Sequence, residues 1–294
     1  MRALLSALLL LPVIAQAQCG PVADADIIGR ASGALPFAQQ SGYGVQVYGK
    51  HLRANAIPED GIQGPALANG DTLRFGKANN ALVFQLDPRD PVTSRSKRSE
   101  ISFEPNIEPD KVYWIAFSVF LEDWGRLHPQ DAALFGTQVH SGDNSLNLSP
   151  AFSLYTTAEG RRFKVQARWS TSPTPDRHST TTANYAERAL PFGRWIDFLF
   201  RFKLNTANAG FLQVWMDGER IVDHRGNLGF NTPAHKDYVK FGYYNWSPVM
   251  SSPRKVLLRS PTIVLDAKGD QYSAAQVARL LACQRDGHAS RHAD

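Results

Sequence analysis

An all-β sandwich is the fold class this sequence predicts. Short runs of alternating apolar and polar residues recur along the 294-residue chain. Gly, Pro, Asn and Asp separate them, and helix-period patterning is scarce. Asp217-Gly218 between two alternating segments adds a strong two-residue hairpin signal.

The individual elements follow from side-chain alternation across a strand. Trp195 to Leu204 places Ile196, Phe198, Phe200, Phe202 and Leu204 on one apolar face. Phe211 to Met216 and Arg220 to Asp223 form the arms of the hairpin. Phe163 to Trp169 turns Phe163, Val165, Ala167 and Trp169 inward and Lys164, Gln166 and Arg168 outward. Tyr113 to Leu121 is an almost unbroken apolar run, as expected of a strand covered on both faces. One helix is predicted, Ala274 to Gln284, with Ser273 as its N-cap. Ser170 to Pro191, rich in Ser, Thr and Pro, predicts a long loop: a lid or a disordered insertion. With no internal repeat and no linker, residues 18–285 read as a single domain followed by a flexible tail, 286–294.

Residues 1–17 have the organisation of a secretory signal: Met-Arg, an apolar run from Leu4 to Ile14, then Ala15-Gln-Ala17. Cleavage after Ala17 would release a secreted or periplasmic protein. Gln18 is a poor neighbour for a lipid-modified Cys19, and no later segment is long and apolar enough to cross a bilayer as a helix. Cys19 and Cys283 are the only cysteines, near opposite ends. In an oxidising compartment they predict a disulfide tying the termini, with two unpaired thiols as the alternative. The net charge of +5 fits nucleic acid, an anionic polysaccharide or a membrane surface as partner. Export argues against nucleic acid, and the lack of a cationic amphipathic helix argues against the membrane. A monomer is expected.

Three segments carry polar chemistry on one strand face. In Tyr238-Val-Lys-Phe-Gly-Tyr-Tyr-Asn-Trp246, residues Lys240, Gly242, Tyr244 and Trp246 share a face, and Gly242 offers a gap where a ligand could approach the backbone. In Arg98-Ser-Glu-Ile-Ser-Phe-Glu104, Arg98 and Glu100 point together, opposite Ile101 and Phe103. In Phe135-Gly-Thr-Gln-Val-His140, Gln138 and His140 point together, opposite Val139. Side by side in one concave sheet, these groups would form a patch suited to β-elimination on a uronic-acid polymer. That reaction removes a proton α to a carboxylate. Arg98 and Gln138 could neutralise the carboxylate. His140 or Tyr244 could take the C5 proton, and Tyr244 could protonate the departing O4. Lys240 would supply positive charge beside the phenol, and Glu100 would orient Arg98. Taken singly, each has a plainer reading: an exposed Arg98/Glu100 pair, a structural His140, a core Tyr244, a solvated Lys240.

Taken together, Arg98-Ser-Glu-Ile, Gln138-Val-His140 and Tyr238-Val-Lys-Phe-Gly-Tyr-Tyr244 resemble the three signature strands of jelly-roll polysaccharide lyases, in the order found in alginate lyases. Tyr113 to Trp124 and Gly210 to Gly218 are closer to heparin lyase I and glucuronan lyase relatives. The resemblance implies a concanavalin-like β-jelly roll of two antiparallel sheets with a concave substrate groove. It implies His140 and Tyr244 as the proton-transfer pair, Arg98 and Gln138 at the substrate carboxylate, and Lys240 in the groove. The chain departs from the alginate pattern in Ile101 for Leu, Val239 for an aromatic residue, and Trp246 where Gln is common. Gln46 is a further groove candidate. Arg168, and with it Lys164, Arg177 and His178, are candidates for choosing the sugar, against the plainer reading of solvated charge.

The substrate classes implied are glucuronan, heparin- or heparan-like chains, and alginate. The alternative is a non-catalytic carbohydrate-binding module or lectin on the same sandwich. A glycoside hydrolase would need a carboxylate pair that Glu100 and Glu104 do not supply in the Glu-x-Asp-x-x-Glu pattern. The eight histidines form no ligand-like cluster, so no metal site is expected. The elimination requires no cofactor, although a structural calcium is compatible with the sequence.

Overall fold

The computed structural model describes residues 22–30, 45–48, 72–76, 81–89, 92, 96–125, 133–143, 146–157, 160–232, 237–246 and 250–287. The signal segment, Cys19 and the tail beyond 287 lie outside these residues. The strands are β1 (Ile27–Arg30), β2 (Val45–Tyr48), β3 (Thr72–Gly76), β4 (Ala81–Leu86) and β5 (Lys97–Ile107). Next come β6 (Val112–Leu121), β7 (Ala133–His140), β8 (Phe152–Thr156), β9 (Arg162–Ser170) and β10 (Thr181–Ala189). The last five are β11 (Trp195–Lys203), β12 (Asn205–Met216), β13 (Glu219–Phe230), β14 (Asp237–Asn245) and β15 (Arg254–Asp266). One α-helix among the described residues, α1 (Ala274–Gly287), follows.

The strands form a two-sheet jelly roll, as the sequence predicts. One sheet runs β13-β12-β11-β6-β15-β4-β3, with β1 against β15. The other runs β2-β5-β14-β7-β8-β9, with β10 on β9. β13 joins them through a short parallel contact in which Gly229 and Phe230 face Trp169 and Ser170. Between the sheets lies a core rich in phenylalanine. Phe117 of one sheet meets Phe241 of the other edge-on, with ring centroids 5.7 Å apart, and Phe152 stacks on Phe200 at 5.7 Å. Each such ring, fully withdrawn from water, contributes about 2 kcal/mol of apolar burial.

The β6 run is covered on both sides for a visible reason. Tyr113, Ile115, Phe117, Val119 and Leu121 enter the inter-sheet core. Trp114 and Ala116 enter a second cluster with Val277, Leu280 and Leu281 of α1. The helix begins in a capping box. Ser273 Oγ accepts from the Gln276 amide at 3.3 Å, and the Ser273 amide donates to Gln276 Oε1 at 2.8 Å. α1 runs three residues past the predicted end, to Gly287.

The hairpin turn at Asp217-Gly218 has positive φ at both residues, 49° and 83°, the geometry that DG favours. The predicted long loop, Ser170 to Pro191, is shorter than expected. Residues 171–180 form the loop, organised by the Asp176 carboxylate, which accepts from the backbone amides of His178 and Ser179. Thr181–Ala189 is then an edge strand. Both of its faces are largely wet, so its small polar residues read as loop. Trp169, expected inward, is only half-buried at the end of β9, where it stacks on His224 with centroids 5.4 Å apart.

Candidate functional site

The strands carrying the three polar motifs lie side by side in the order β5-β14-β7. Their registers arrange the groove floor in rows. Tyr238 faces His140; Lys240 faces Gln138 on one side and Ser102 on the other. Gly242 faces Gly136 and Glu100, and Tyr244 faces Leu134 and Arg98. β8 and β9 extend two rows, through Ser153 and Gln166 and through Tyr155 and Lys164. Gln46 of β2 holds the register position beside Ser102, in the Lys240 row.

Above this floor opens a cavity of about 560 Å³, lined by Arg98, Gln138, His140, Lys240 and Tyr244. Arg168, Tyr155 and Trp246 contribute to its wall. The structure thus brings seven of the predicted residues, Arg98, Gln138, His140, Arg168, Lys240, Tyr244 and Trp246, to one cavity. Glu100 lies beneath the floor, with its side chain only 3 % exposed.

The contacts of Glu100 differ from those expected. It does not meet Arg98. Gln138 Nε2 donates to Glu100 Oε1, and Lys240 Nζ stands 3.9 Å from Oε2. Glu100 therefore anchors the two groups of the middle row. Burial holds the Lys240 ammonium below the ordinary lysine range, an effect that Glu100 opposes and Arg98 reinforces. A buried cation without its carboxylate would be strongly penalised.

The cation beside the phenol also differs. Arg98, rather than Lys240, lies against Tyr244, with its guanidinium carbon 4.8 Å from the ring centroid. Lys240 lies one register row from Gly242 and two from Tyr244, and its Nζ is instead 5.4 Å from the Tyr238 ring. Arg98 Nη2 donates to Ser96 Oγ at 2.7 Å, while its buried Nε has no hydrogen-bond partner. Arg98 also lines the cavity, where a guanidinium is suited to an incoming carboxylate.

His140 sits at the far end of β7. Its Nδ1 lies 2.9 Å from the Ser141 carbonyl oxygen, which can only accept, so Nδ1 carries the proton and Nε2 presents a lone pair. Burial, followed by the charge of Lys240, lowers its pKa to about 4. The imidazole is neutral at physiological pH and can act as a base. Arg168 and Arg98 push in the same direction. Arg168 is pinned by the Pro150 carbonyl, 3.1 Å from Nη1, and by Gln166, so its charge is fixed at this end of the groove.

Gly242 does not provide the expected ligand gap. A Cβ there would stand 2.3 Å from the Ser99 carbonyl oxygen and 2.9 Å from Glu100 Cα. The space is filled by neighbouring backbone, and φ is +139°, which side chains disfavour. Its partner across the ladder, Gly136, also has positive φ, +73°. The two glycines face each other across the β14/β7 ladder, between the Lys240 row and the Tyr244 row.

Three groups escaped the sequence reading. Tyr238 shares the Lys240 face by the same alternation and lies against His140, with centroids 5.7 Å apart. Tyr155 alternates with Phe152 and Leu154 on β8; it meets Trp246 at 4.6 Å and Lys164 at 4.9 Å. Asp237, buried behind His140, has no sequence signal beyond its place at the start of β14. Among the described residues, no group of three or more His, Cys, Asp or Glu is arranged to hold a metal ion. No helix among them is long and apolar enough to cross a membrane. Cys283 lies on α1; its predicted partner Cys19 is outside the described residues.

Comparison with known proteins bears on this site. The family model described as polysaccharide lyase matches residues 59–262, more than half of the chain. No curated protein sequence is significantly similar. Among solved structures, an endo-β-1,4-glucuronan lyase from the fungus Trichoderma reesei superposes with a TM-score of 0.53 at 13% identity, covering 65% of this chain and 85% of that one. An alginate lyase from Pseudomonas aeruginosa gives 0.44 at 18% identity, covering 63% and 83%. One from Klebsiella pneumoniae gives 0.48 at 11% identity, covering 68% and 86%. The glucuronan lyase likeness supports the two-sheet jelly roll and nothing finer. The extent of the family match decides the classification: the chain is an enzyme belonging to the polysaccharide lyase family.

Proposed function

We propose that this lyase is an exported, monomeric enzyme that cleaves a uronic-acid-containing anionic polysaccharide by β-elimination. One observation carries the reading. A single cavity joins a cation beside a phenol, Arg98 on Tyr244, to a neutral imidazole, His140, whose Nε2 lone pair is not used internally.

In the proposed reaction Arg98 and the second N–H of Gln138 hold the sugar carboxylate and absorb the charge that develops on it. His140 Nε2 or Tyr244 Oη takes the C5 proton. The C5–H electron pair becomes the C4–C5 double bond, the C4–O4 bond breaks, and Tyr244 delivers a proton to O4. Lys240 and Arg168 extend the cationic surface along the chain, and Trp246 lines the groove beyond the phenol. This scheme requires no cofactor, nucleic acid or membrane. Glucuronan, heparin- or heparan-like chains and alginate are the substrate classes to test. Export rests on residues 1–17, and a Cys19–Cys283 disulfide closing residues 18–285 into one domain belongs to the same proposal.

The test is incubation with alginate, glucuronan, heparin, heparan sulfate, hyaluronan and pectate while near-UV absorbance is followed. The proposal expects a rise with at least one polymer, from the new unsaturated uronate. Binding without any rise would favour a lectin; chain cleavage without a rise would contradict elimination.

A further inference from the structure

Arg168 of β9 lines the cavity, and the two hydrogen bonds that fix its side chain end on neutral oxygens. Nη1 donates to the Pro150 carbonyl at 3.1 Å, and Nη2 donates to Gln166 Oε1. Gln166 stands two residues away on the same strand face and is buried. Its amide has one orientation that suits these neighbours. A guanidinium donates and cannot accept, so the Gln166 oxygen faces it. Gln166 Nε2 then faces the sheet edge, where it donates to Asn184 Oδ1 at 2.9 Å, across the β9/β10 ladder. Asn184 thus aims Gln166, and Gln166 aims Arg168. Burial disfavours the charge on Arg168. Lys240 has the Glu100 carboxylate at 3.9 Å, whereas the groups that hold Arg168 fix its charge without neutralising it.

We infer that Arg168 takes a second anionic group of the substrate, a carboxylate or sulfate on a sugar next to the one being cleaved, and that Gln166 and Asn184 are the positioning residues that aim it. This rests on the proposed polysaccharide substrate and extends it beyond the cleaved unit. Gln138 and His140 stand on β7, and Arg168 stands on β9, with β8 between them. Two strand spacings separate the backbones by about 10 Å. The ties to Gln166 on β9 and to Pro150, which leads into β8, keep the guanidinium on that side of the groove. The separation is wider than a single pyranose ring, so an anion met there belongs to a neighbouring unit. A guanidinium offers forked donors to such a group. Because neutral partners already hold it in place, little side-chain freedom is lost on binding.

The experiment is steady-state kinetics of Gln166→Glu on each polymer that the wild type cleaves. The variant keeps an oxygen facing Arg168 and strengthens that tie, yet it neutralises the cation. KM should rise about tenfold or more, with kcat within about threefold of wild type and the melting temperature not lowered. If Arg168 only braced the Pro150 carbonyl, KM would not move, because the brace is intact. Arg168→Ala should match the rise in KM. Asn184→Ala, at an exposed position, frees the Gln166 amide and should show part of it, a few-fold. A rise on unsulfated polymers identifies the anion as a carboxylate; a rise confined to heparin and heparan sulfate identifies a sulfate. Folded Gln166→Glu and Arg168→Ala variants with unchanged KM would overturn the inference for Arg168. An unchanged KM in Asn184→Ala alone would overturn it for Asn184. If the wild type binds these polymers without cleaving them, the elimination scheme fails, and calorimetric Kd replaces KM in the same comparison. Absence of binding to every polymer would overturn both.

Discussion

The Arg98 guanidinium carbon lies 4.8 Å from the centroid of the Tyr244 ring, across the β5/β14 ladder. The contact places the cation and the phenol as one unit. It also leaves Arg98 Nε buried without a hydrogen-bond partner. Lysine can supply the charge but neither the planar stacking nor the forked donors. Arg98→Lys should therefore lower kcat/KM by roughly a hundredfold, the scale of losing one preorganised donor. Initial rates of near-UV absorbance on a cleaved polymer measure it; rates within a factor of two would show that charge alone suffices.

Glu100 supports the middle of the groove from below. Its replacement by Gln removes the negative charge that stands 3.9 Å from the Lys240 ammonium and weakens the anchor of Gln138. Removing one partner of a buried pair costs on the order of 3–5 kcal/mol. Denaturant unfolding of Glu100→Gln should show a loss on that scale. An unchanged midpoint would mean that Lys240 is solvated and that the pair contributes little.

Two buried titrating groups near the turn after β7 act on stability in opposite directions. The folded-state pKa of His140, about 4, is depressed, so its contribution is present above the ordinary value of 6.5 and lost as pH falls from there towards 4. Asp237 is pushed up to about 7 by burial; its contribution is present below the ordinary 3.8 and lost as pH rises from there through 7. Asp237→Asn removes the second effect only. Its melting temperature relative to wild type should rise as the pH is taken from 5 to 8. A difference independent of pH would show that Asp237 does not titrate in this range. The acid limb of kcat/KM should likewise fall well below pH 6.5, since His140 stays neutral there.

Gly242→Ala tests the close approach of β5 to β14 under the groove floor. The new Cβ would meet the Ser99 carbonyl oxygen at 2.3 Å on a backbone with φ +139°. Steric overlap and strain together predict a loss of about 3 kcal/mol or more. A melt unchanged by the substitution would show that β14 can relax away from β5 at this point.

Much of this arrangement was legible in the chain. Alternation alone assigned Phe198, Phe200 and Phe202 to the core and paired Arg98 with Glu100 and Gln138 with His140 on single faces. The Asp217-Gly218 hairpin followed from backbone preference. Adjacency of the three motif strands did not follow from alternation, because pairing order depends on contacts far apart in sequence. Nor did the partners of Glu100: alternation gives a face, whereas the neighbour across the ladder depends on register. β10 was misread because an edge strand with two wet faces lacks the apolar half of the pattern. Asp237 gave no signal in the alternation, since it stands buried at the first position of β14.

The claim at the centre is that Tyr244 transfers a proton in the elimination. Tyr244→Phe removes one oxygen and keeps the ring under Arg98. Near-UV turnover of the folded variant on a polymer cleaved by the wild type measures it most directly. Loss of the acid–base group predicts a fall of about 10²–10⁴-fold with substrate binding retained; a rate within a few-fold of wild type would contradict the assignment.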